Sequence, residues 1–111
     1  MDKKLPNHLR ASTKTWILKI IDGYELENHH IKILIMAGET WDRITQARET
    51  IKKEGAYFND RFGRPKSHPA LADERNNRIV FARLLRELNL SEEGPDVRPP
   101  GLKYGGKEDA L

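Results

Sequence analysis

Cations are interleaved with aromatic side chains in the segment from residue 55 to residue 71, GAYFNDRFGRPKSHPAL. Its cations are Arg61, Arg64 and Lys66, and its aromatic residues are Tyr57, Phe58 and Phe62. Guanidinium and ammonium groups bind phosphate oxygens, and aromatic rings stack on bases, insert into a groove, or pack under a loop to hold it against the protein. Pro65 and Pro69 restrict the residues before them to extended backbone. The sequence therefore predicts a shaped basic loop suited to a polyanion.

The histidines offer weaker chemistry than this loop. His29 and His30 are adjacent, so on a helix they point about 100° apart and cannot hold one metal ion together. They are predicted to be polar residues of a first helical turn. His68 could bond a phosphate or cap the following helix, and its position before Pro69 favours the cap.

The sequence contains none of the common catalytic motifs that we considered. The chain has no Cys, no phosphate loop ending in Gly-Lys-Ser/Thr, no Gly-x-Ser-x-Gly and no His-Glu-x-x-His. We therefore expect a protein that is not an enzyme and needs no metal or cofactor. The lack of Cys fits a reducing cytoplasm, and the longest apolar run, Ile33 to Ala37, is too short to span a bilayer.

Charge is distributed unevenly along the 111 residues. Residues 1–90 hold 17 Lys and Arg against 12 Asp and Glu, whereas residues 91–111 hold 3 against 5. A basic body with an acidic tail suits a polyanion-binding core joined to a tail that docks a protein or shields the core, although a merely solvated surface has a similar composition.

Three helices are predicted to position these groups. The first follows a cap at Ser12 or Thr13 and ends at Asp22-Gly23, the second runs from Glu27 or Asn28 to Glu54, and the third runs from Pro69 or Ala70 to about Asn89. The first two form a helix-turn-helix-like pair, which either presents a helix to the major groove or serves as ordinary packing. Lys14 and Lys19 suit phosphate contacts, but the second helix is nearly cation-free until Arg43, so recognition of backbone or shape is expected.

An apolar seam runs along the second helix at steps of three and four residues. Its members are Leu34, Ala37, Trp41, Ile44 and Ile51, with Arg48 breaking the series. This period of about 3.5 is typical of a helix packed along another helix. Because the first half of the helix is apolar nearly all round, we expect cover from the first helix and from a neighbouring copy; the alternative is a three-helix core within one chain. A short local strand at Ile31 to Ile35 is a further alternative.

The third helix carries arginines on the face roughly opposite its apolar residues. The apolar face holds Val80, Phe81, Leu84, Leu85 and Leu88, and the other holds Arg75, Arg78, Arg83 and Arg86. These arginines either track phosphates, pair with acidic residues of an adjacent copy such as Glu39, Asp42 or Glu49, or are simply solvated. Arg75 and Arg78 are the candidate phosphate contacts among them.

The predicted organisation is all-α with three parts. Residues 1–11 form an N-terminal arm, residues 12–90 a helical domain for DNA binding and oligomerisation, and residues 91–111 a flexible acidic tail rich in Pro and Gly.

Taken together, these features resemble the small terminase subunit of tailed bacteriophages and prophages. The resemblance covers roughly residues 5 to 90. It rests on Leu5-Pro6, Trp16, a long helix ending Lys-Lys-Glu-Gly, Gly63-Arg64-Pro65-Lys66, His68-Pro69-Ala70-Leu71 and the closing Leu85-Arg86-Glu87-Leu88-Asn89-Leu90. The His-Pro-Ala-Leu block before an arginine-rich helix is its most specific part. The chain departs from the family where Asn89 replaces a common Gly and where Ser91-Glu92-Glu93 follows.

The resemblance implies a non-catalytic factor for viral genome packaging in the host bacterial cytoplasm. Such proteins form homo-oligomeric rings, bind double-stranded viral DNA and deliver it to the large terminase subunit, which is an ATPase and nuclease. The candidate DNA-binding residues are Lys14, Lys19, Arg61, Arg64, Lys66, Arg75 and Arg78, and the candidate oligomerisation residues are those of the seam. The alternatives are a small dimeric helix-turn-helix transcriptional regulator and a helical adaptor that binds only proteins.

Overall fold

The computed structural model describes residues 5–90 and 98–100, which form a mostly helical fold with one small β-hairpin. The elements are α1 (Ala11–Gly23), α2 (Asn28–Glu54), β1 (Tyr57–Asn59), β2 (Pro65–Ser67) and α3 (Pro69–Leu88). The three predicted helices are confirmed, and no strand forms at residues 31–35, which lie inside α2. The hairpin was not predicted. Most of the predicted tail, residues 91–97 and 101–111, lies outside the described residues.

The two long helices α2 and α3 pack against each other in opposite directions. Trp41 lies beside Phe81, and about two helical turns further along α2 the guanidinium of Arg48 bonds Glu74, which lies earlier in α3. The helix α1 also runs opposite to α2, because Thr13 contacts Asp42 while Ile17 lies against Gly38. The hairpin connects the end of α2 to the start of α3, so it lies at one end of the elongated molecule, whose extents are 56 × 30 × 23 Å.

An aromatic cluster joins the three helices at the centre of the core. The ring centroid of Phe81 lies 5.2 Å from that of Trp41 and 6.0 Å from that of Trp16. Tilted ring pairs at such distances stabilise a core beyond the area that they bury. The cluster explains how one chain supplies the partner surface for the seam of α2.

The prediction that the seam needs a neighbouring copy is corrected by this packing. Leu34, Ala37 and Ile44 are fully buried and Trp41 is only 6 % exposed, all within one chain. Ile51, nearer the hairpin, is half-buried. The arginine that breaks the seam is accommodated at the edge of the core, since the guanidinium carbon of Arg48 lies 5.4 Å from the Trp41 ring centroid. For the four buried residues the alternative, an intramolecular three-helix core, is what the structure contains.

The start of α1 is fixed by α2 rather than by its own sequence. The predicted cap at Ser12 or Thr13 is wrong, because α1 begins at Ala11 and its N-cap, Arg10, makes no side-chain capping bond. Instead the carboxylate of Asp42 accepts hydrogen bonds from the Arg10 backbone N–H at 3.0 Å and from the Thr13 hydroxyl at 2.5 Å. A carboxylate at a helix N-terminus satisfies unpaired N–H groups and favours the helix dipole.

The close approach of α1 and α2 depends on Gly38. A Cβ atom at this position would lie 2.8 Å from Cδ1 of Ile17 and 3.0 Å from Cγ2 of Thr13. Distances this short require a neighbouring group to move, and Ile17 and Thr13 are themselves buried.

Replacing Gly38 with Ala is expected to lower the free energy of unfolding by up to about 2 kcal/mol, because overpacking costs about 1–3 kcal/mol and helix propensity returns about 1 kcal/mol. Urea unfolding measures this change. Ile17→Val removes the Cδ1 atom that the new methyl group would meet, so in a double-mutant cycle the pair G38A/I17V should be less destabilised than the sum of the single variants. Additive effects would show that the two side chains do not meet.

Candidate nucleic-acid interface

The predicted basic loop is a hairpin with a five-residue connection, Asp60 to Arg64. Its strands pair antiparallel, with Tyr57 opposite Ser67, Phe58 opposite Lys66 and Asn59 opposite Pro65. The side chain of Asp60 accepts hydrogen bonds from the backbone N–H groups of Phe62 at 2.8 Å and Arg64 at 2.9 Å. Gly63 donates its N–H to the Asp60 carbonyl at 2.9 Å and has a φ of +78°. Asp first and Gly fourth in a turn is a strong local signal, and here it gives a firmly bonded tip.

His68 fixes the base of the hairpin to both neighbouring helices. Its Nδ1 accepts the N–H of Ala70 at 3.0 Å, which confirms the predicted helix cap, and α3 begins at Pro69 as predicted. Because Nδ1 is an acceptor, Nε2 carries the proton and donates to Glu54 at 2.8 Å. The backbone N–H of His68 also donates to the Ala56 carbonyl at 2.7 Å. The hairpin therefore has a defined orientation relative to α2 and α3.

Replacing His68 with Ala is expected to destabilise the protein by about 1 kcal/mol through loss of the helix cap. His68→Asn keeps a capping oxygen and is the matched control, which should retain most of the stability lost in H68A. Thermal unfolding followed by circular dichroism measures both variants. Equal losses in the two would mean that the bond to Glu54, rather than the cap, is the important contact.

Aromatic rings stand exposed on the hairpin. Tyr57 is 69 % exposed, Phe62 68 % and Phe58 46 %. Phe58, the least exposed of them, has its ring near the imidazole of His68, with centroids 6.4 Å apart. Phe62 does not pack under the loop: it stands at the tip, where the guanidinium carbons of Arg61 and Arg64 lie 5.1 and 5.6 Å from its ring centroid. Of the two rings predicted to hold the loop against the helices, Phe58 is thus partly covered, and Phe62 does not serve this purpose.

The hairpin surface, as we name it, comprises the exposed cations at this end of the molecule. They are Lys52, Lys53, Arg61, Arg64, Lys66 and Arg75. Within residues 5–90 and 98–100, none of the six pairs with a carboxylate. The two acids within residues 52–67 are already bonded, Asp60 to the turn and Glu54 to His68. The positive charge of these six side chains is therefore not neutralised by ion pairs among the described residues, and it can attract an external anion.

Two residues of the hairpin surface were not predicted from the sequence. Lys52 and Lys53 lie in the last turn of α2, immediately before the hairpin, and both are exposed. Their position beside the basic loop was a readable signal. Cations in a last helical turn also have an ordinary role near the negative end of the helix dipole, which makes them easy to pass over.

Of the other candidate DNA-binding residues, only some lie on the hairpin surface. Arg75 lies about 9 Å along α3 from Pro69 and belongs to it. Arg78 is exposed but bonds the carboxylate of Glu74 at 3.0 Å. Lys14 and Lys19 lie on α1, alongside the part of α2 that includes Asp42, which is about 18 Å along the helix from Glu54. The seven predicted residues therefore do not form one continuous site.

The acids proposed as partners for arginines of another copy are bonded to the N-terminal arm of the same chain. Glu39 bonds His8 at 2.8 Å, Asp42 holds the start of α1, and Glu49 receives two bonds from the guanidinium of Arg10 at 2.8 and 2.9 Å. The hydrogen bonds from Arg10 lower the pKa of the Glu49 carboxyl, and the same contact raises the pKa of Arg10. These acids hold the arm against α2.

Several apolar side chains remain exposed on the helices. Met36 and Leu18 are each 46 % exposed, Ile79 is 48 % exposed, and Val80, predicted on the core face of α3, is 43 % exposed. Val80 departs from the prediction because the core of α3 is centred on Phe81 and Leu88, which are buried, and Val80 lies about 100° around the helix from Phe81, at the side of this core. These positions are open to a contact outside the chain.

Comparison with protein-family models, with curated proteins and with solved structures finds no match to this chain. The likeness to small terminase subunits therefore depends on the residues quoted above. Within residues 5–90 and 98–100, no cluster of His, Asp or Glu is placed to hold a metal ion. The helices described there include none with the length and apolar character needed to cross a membrane.

Proposed function

We propose that this chain is a non-catalytic small terminase subunit, which oligomerises, binds double-stranded viral DNA and recruits or regulates the large terminase ATPase-nuclease. The observation that carries the proposal is the hairpin surface. Its exposed cations pair with no carboxylate of the described residues, and they lie beside exposed aromatic rings on a firmly bonded turn. The sequence resemblance supplies the packaging context.

Duplex DNA is the polyanion that this surface suits best. Residues 52–67 contain five cations and two carboxylates, and both carboxylates have local partners. Phosphate contacts from Lys and Arg release counterions and give binding that weakens steeply with salt. Each copy offers only a few such contacts, so an oligomer that repeats them would gain affinity through multivalency.

The regulator alternative receives less support from the second helix. In a helix-turn-helix the second helix reads bases with its N-terminal residues. Here α2 begins with Asn28 and His29, while Glu27 and His30 form a capping box with the backbone of its first turn. Lys32 is the one cation in its first two turns. Recognition through the hairpin surface agrees better with these residues.

The surface that we propose for oligomerisation is the side of α2 and α3 on which a groove lies between the two helices. The groove is lined by Arg43 and Ala47 of α2 and by Asp73 and Asn77 of α3. Residues seven apart lie on the same side of a helix, so Met36 shares the face of Arg43 and Val80 shares the face of Asp73. Exposed apolar groups beside charges of both signs, Arg43 and Asp73, suit a contact between copies.

Replacing Val80 with Glu is therefore expected to shift the oligomer toward monomers while the helical circular dichroism stays unchanged, because Val80 is already 43 % exposed within the chain. Light scattering after size exclusion measures the mass. Leu18→Glu is the matched control, at 46 % exposure on α1, and should leave the oligomer intact. An oligomer that withstands V80E and dissociates with L18E would place the interface on α1.

The proposed function is tested by co-expressing this chain with the large terminase subunit of the same genome. We expect an oligomer that binds duplex DNA in a salt-dependent manner, comigrates with the large subunit and raises its DNA-dependent ATPase rate. A monomer that binds neither DNA nor the large subunit would refute the proposal. A sharp footprint on a palindromic site, without any effect on the ATPase, would favour the transcriptional regulator instead.

A further inference from the structure

We propose that Phe62 is a wedge that inserts between stacked base pairs of duplex DNA from the minor groove, so that this chain bends the DNA it binds. This inference rests on the proposed DNA-binding function and specifies how the hairpin surface would engage the duplex. Apolar side chains that enter a base step from the minor groove unstack it partially and kink the helix.

The position of Phe62 meets the first requirement of a wedge, which is an apolar group held ahead of the protein body. The ring is 68 % exposed at the tip of the hairpin. Its backbone N–H is bonded to the Asp60 carboxylate at 2.8 Å, and the turn is closed by the Gly63 to Asp60 bond at 2.9 Å. A tip that is already ordered loses little conformational entropy on insertion.

The charges around the ring meet the second requirement, attraction to the DNA backbone. Arg61 and Arg64 flank Phe62 in sequence, and both guanidinium groups lie within 6 Å of its ring centroid. Neither pairs with a carboxylate in the part of the chain that the structure describes. Arg side chains are favoured in and beside the minor groove because its negative potential is high.

The dimensions favour insertion of the tip over docking of the whole ribbon in this groove. Paired strands are about 4.8 Å apart before their side chains are counted, whereas the minor groove is about 6 Å wide. The ribbon therefore stays outside, and only the tip residue enters. Stacking along a single strand would use several rings in succession, but the neighbouring Phe58 turns toward His68.

The test uses the full chain and a duplex of about 30 base pairs, labelled at its ends for energy transfer and carrying 2-aminopurine beside a central TA step, which is easily unstacked. Fluorescence anisotropy of the same duplex reports binding. We expect the wild-type chain to bring the ends closer and to raise the 2-aminopurine fluorescence. Phe62→Ala should abolish both signals while its affinity falls less than tenfold, and Phe62→Leu should preserve them. Tyr57→Ala, which removes a ring of equal exposure at the base of the hairpin, should change neither.

The outcomes separate this inference from the proposed function. Tight binding by the wild-type chain without bending and without unstacking would overturn the wedge and leave DNA binding intact. Equal loss of bending in F62A and Y57A would also overturn it, because the tip would have no special role. Absence of any binding to duplex DNA would refute the proposed function, and the wedge with it. A strong preference for single-stranded DNA would also overturn the wedge, because Phe62 would then stack on unpaired bases.

Discussion

Replacing Trp41 with Ala is expected to lower the free energy of unfolding by about 3–5 kcal/mol, a large share of the stability of a small domain. Trp41 is 6 % exposed and its ring lies 5.2 Å from that of Phe81, so truncation leaves a cavity where α2 meets α3. The lost ring also removes the surface beneath the Arg48 guanidinium. Urea unfolding of the purified variant measures the change.

Trp41→Phe is the control for this prediction, since it keeps a ring against Phe81 and should cost clearly less. The same pair of variants distinguishes the intramolecular core from an interface between copies. If W41A kept the stability and helical content of the wild-type chain and only lost its oligomeric state, Trp41 would lie between copies. In that case the packing of α2 on α3 described above would not be the one adopted in solution.

Replacing Arg61, Arg64 and Lys66 together with Ala is expected to weaken binding to duplex DNA at least about 100-fold in low salt. The reason is that three hydrogen-bonded phosphate contacts of at least about 1 kcal/mol each would be lost, and 1.4 kcal/mol corresponds to a factor of ten. The slope of log affinity against log salt should also become shallower by about 3 for each copy that contacts DNA. Fluorescence anisotropy over a series of salt concentrations measures both quantities.

A triple variant of Lys32, Arg83 and Arg86 is the matched control, because it removes the same charge from exposed positions outside the hairpin surface. Its affinity should fall far less, and its salt slope should stay close to that of the wild-type chain. Equal losses in the two triple variants would mean that net charge alone attracts DNA. Folding of each variant is checked by its thermal unfolding, which should not change because all six side chains are exposed.

The helices were readable from the sequence because their signals are local. Gly23 ends α1, Gly55 follows α2 and Pro69 opens α3, as the apolar periodicity and the known positions of Gly and Pro predict. The hairpin carried no such periodicity. Its strands have three residues each and are exposed throughout, so no apolar alternation marks them. The turn signal of Asp60 and Gly63 was present, but it was interpreted only as part of a shaped loop.

Contacts between distant residues explain the predictions that failed. The carboxylate that holds the start of α1 comes from Asp42, a residue 29 positions from its partner Thr13, and no local pattern points to it. The seam correctly indicated a helix packed along another helix, but its period does not say whether the partner belongs to the same chain. Phe81 and Trp16 supply that partner within one chain.

The candidate site could be predicted from the sequence where its residues are close together in the chain, and not where it depends on the packing of helices. Arg61, Arg64 and Lys66 lie in one short segment, so sequence proximity alone predicts that they share a surface. Lys14 and Lys19 depend on how α1 packs, and the structure places them along the middle of α2 instead. Arg78 is close to the site in sequence, yet its guanidinium donates a hydrogen bond to the carboxylate of Glu74.

Hydrogen-deuterium exchange of the full chain, with and without a duplex of about 30 base pairs, tests most directly whether the hairpin surface contacts DNA. Added duplex should slow exchange in peptides covering residues 52–67, and the effect should vanish in the Arg61, Arg64 and Lys66 triple variant. Unchanged exchange in this segment, with slowing confined to α1 or to the first turns of α2, would contradict the account and return the helix-turn-helix-like pair as the site of DNA contact.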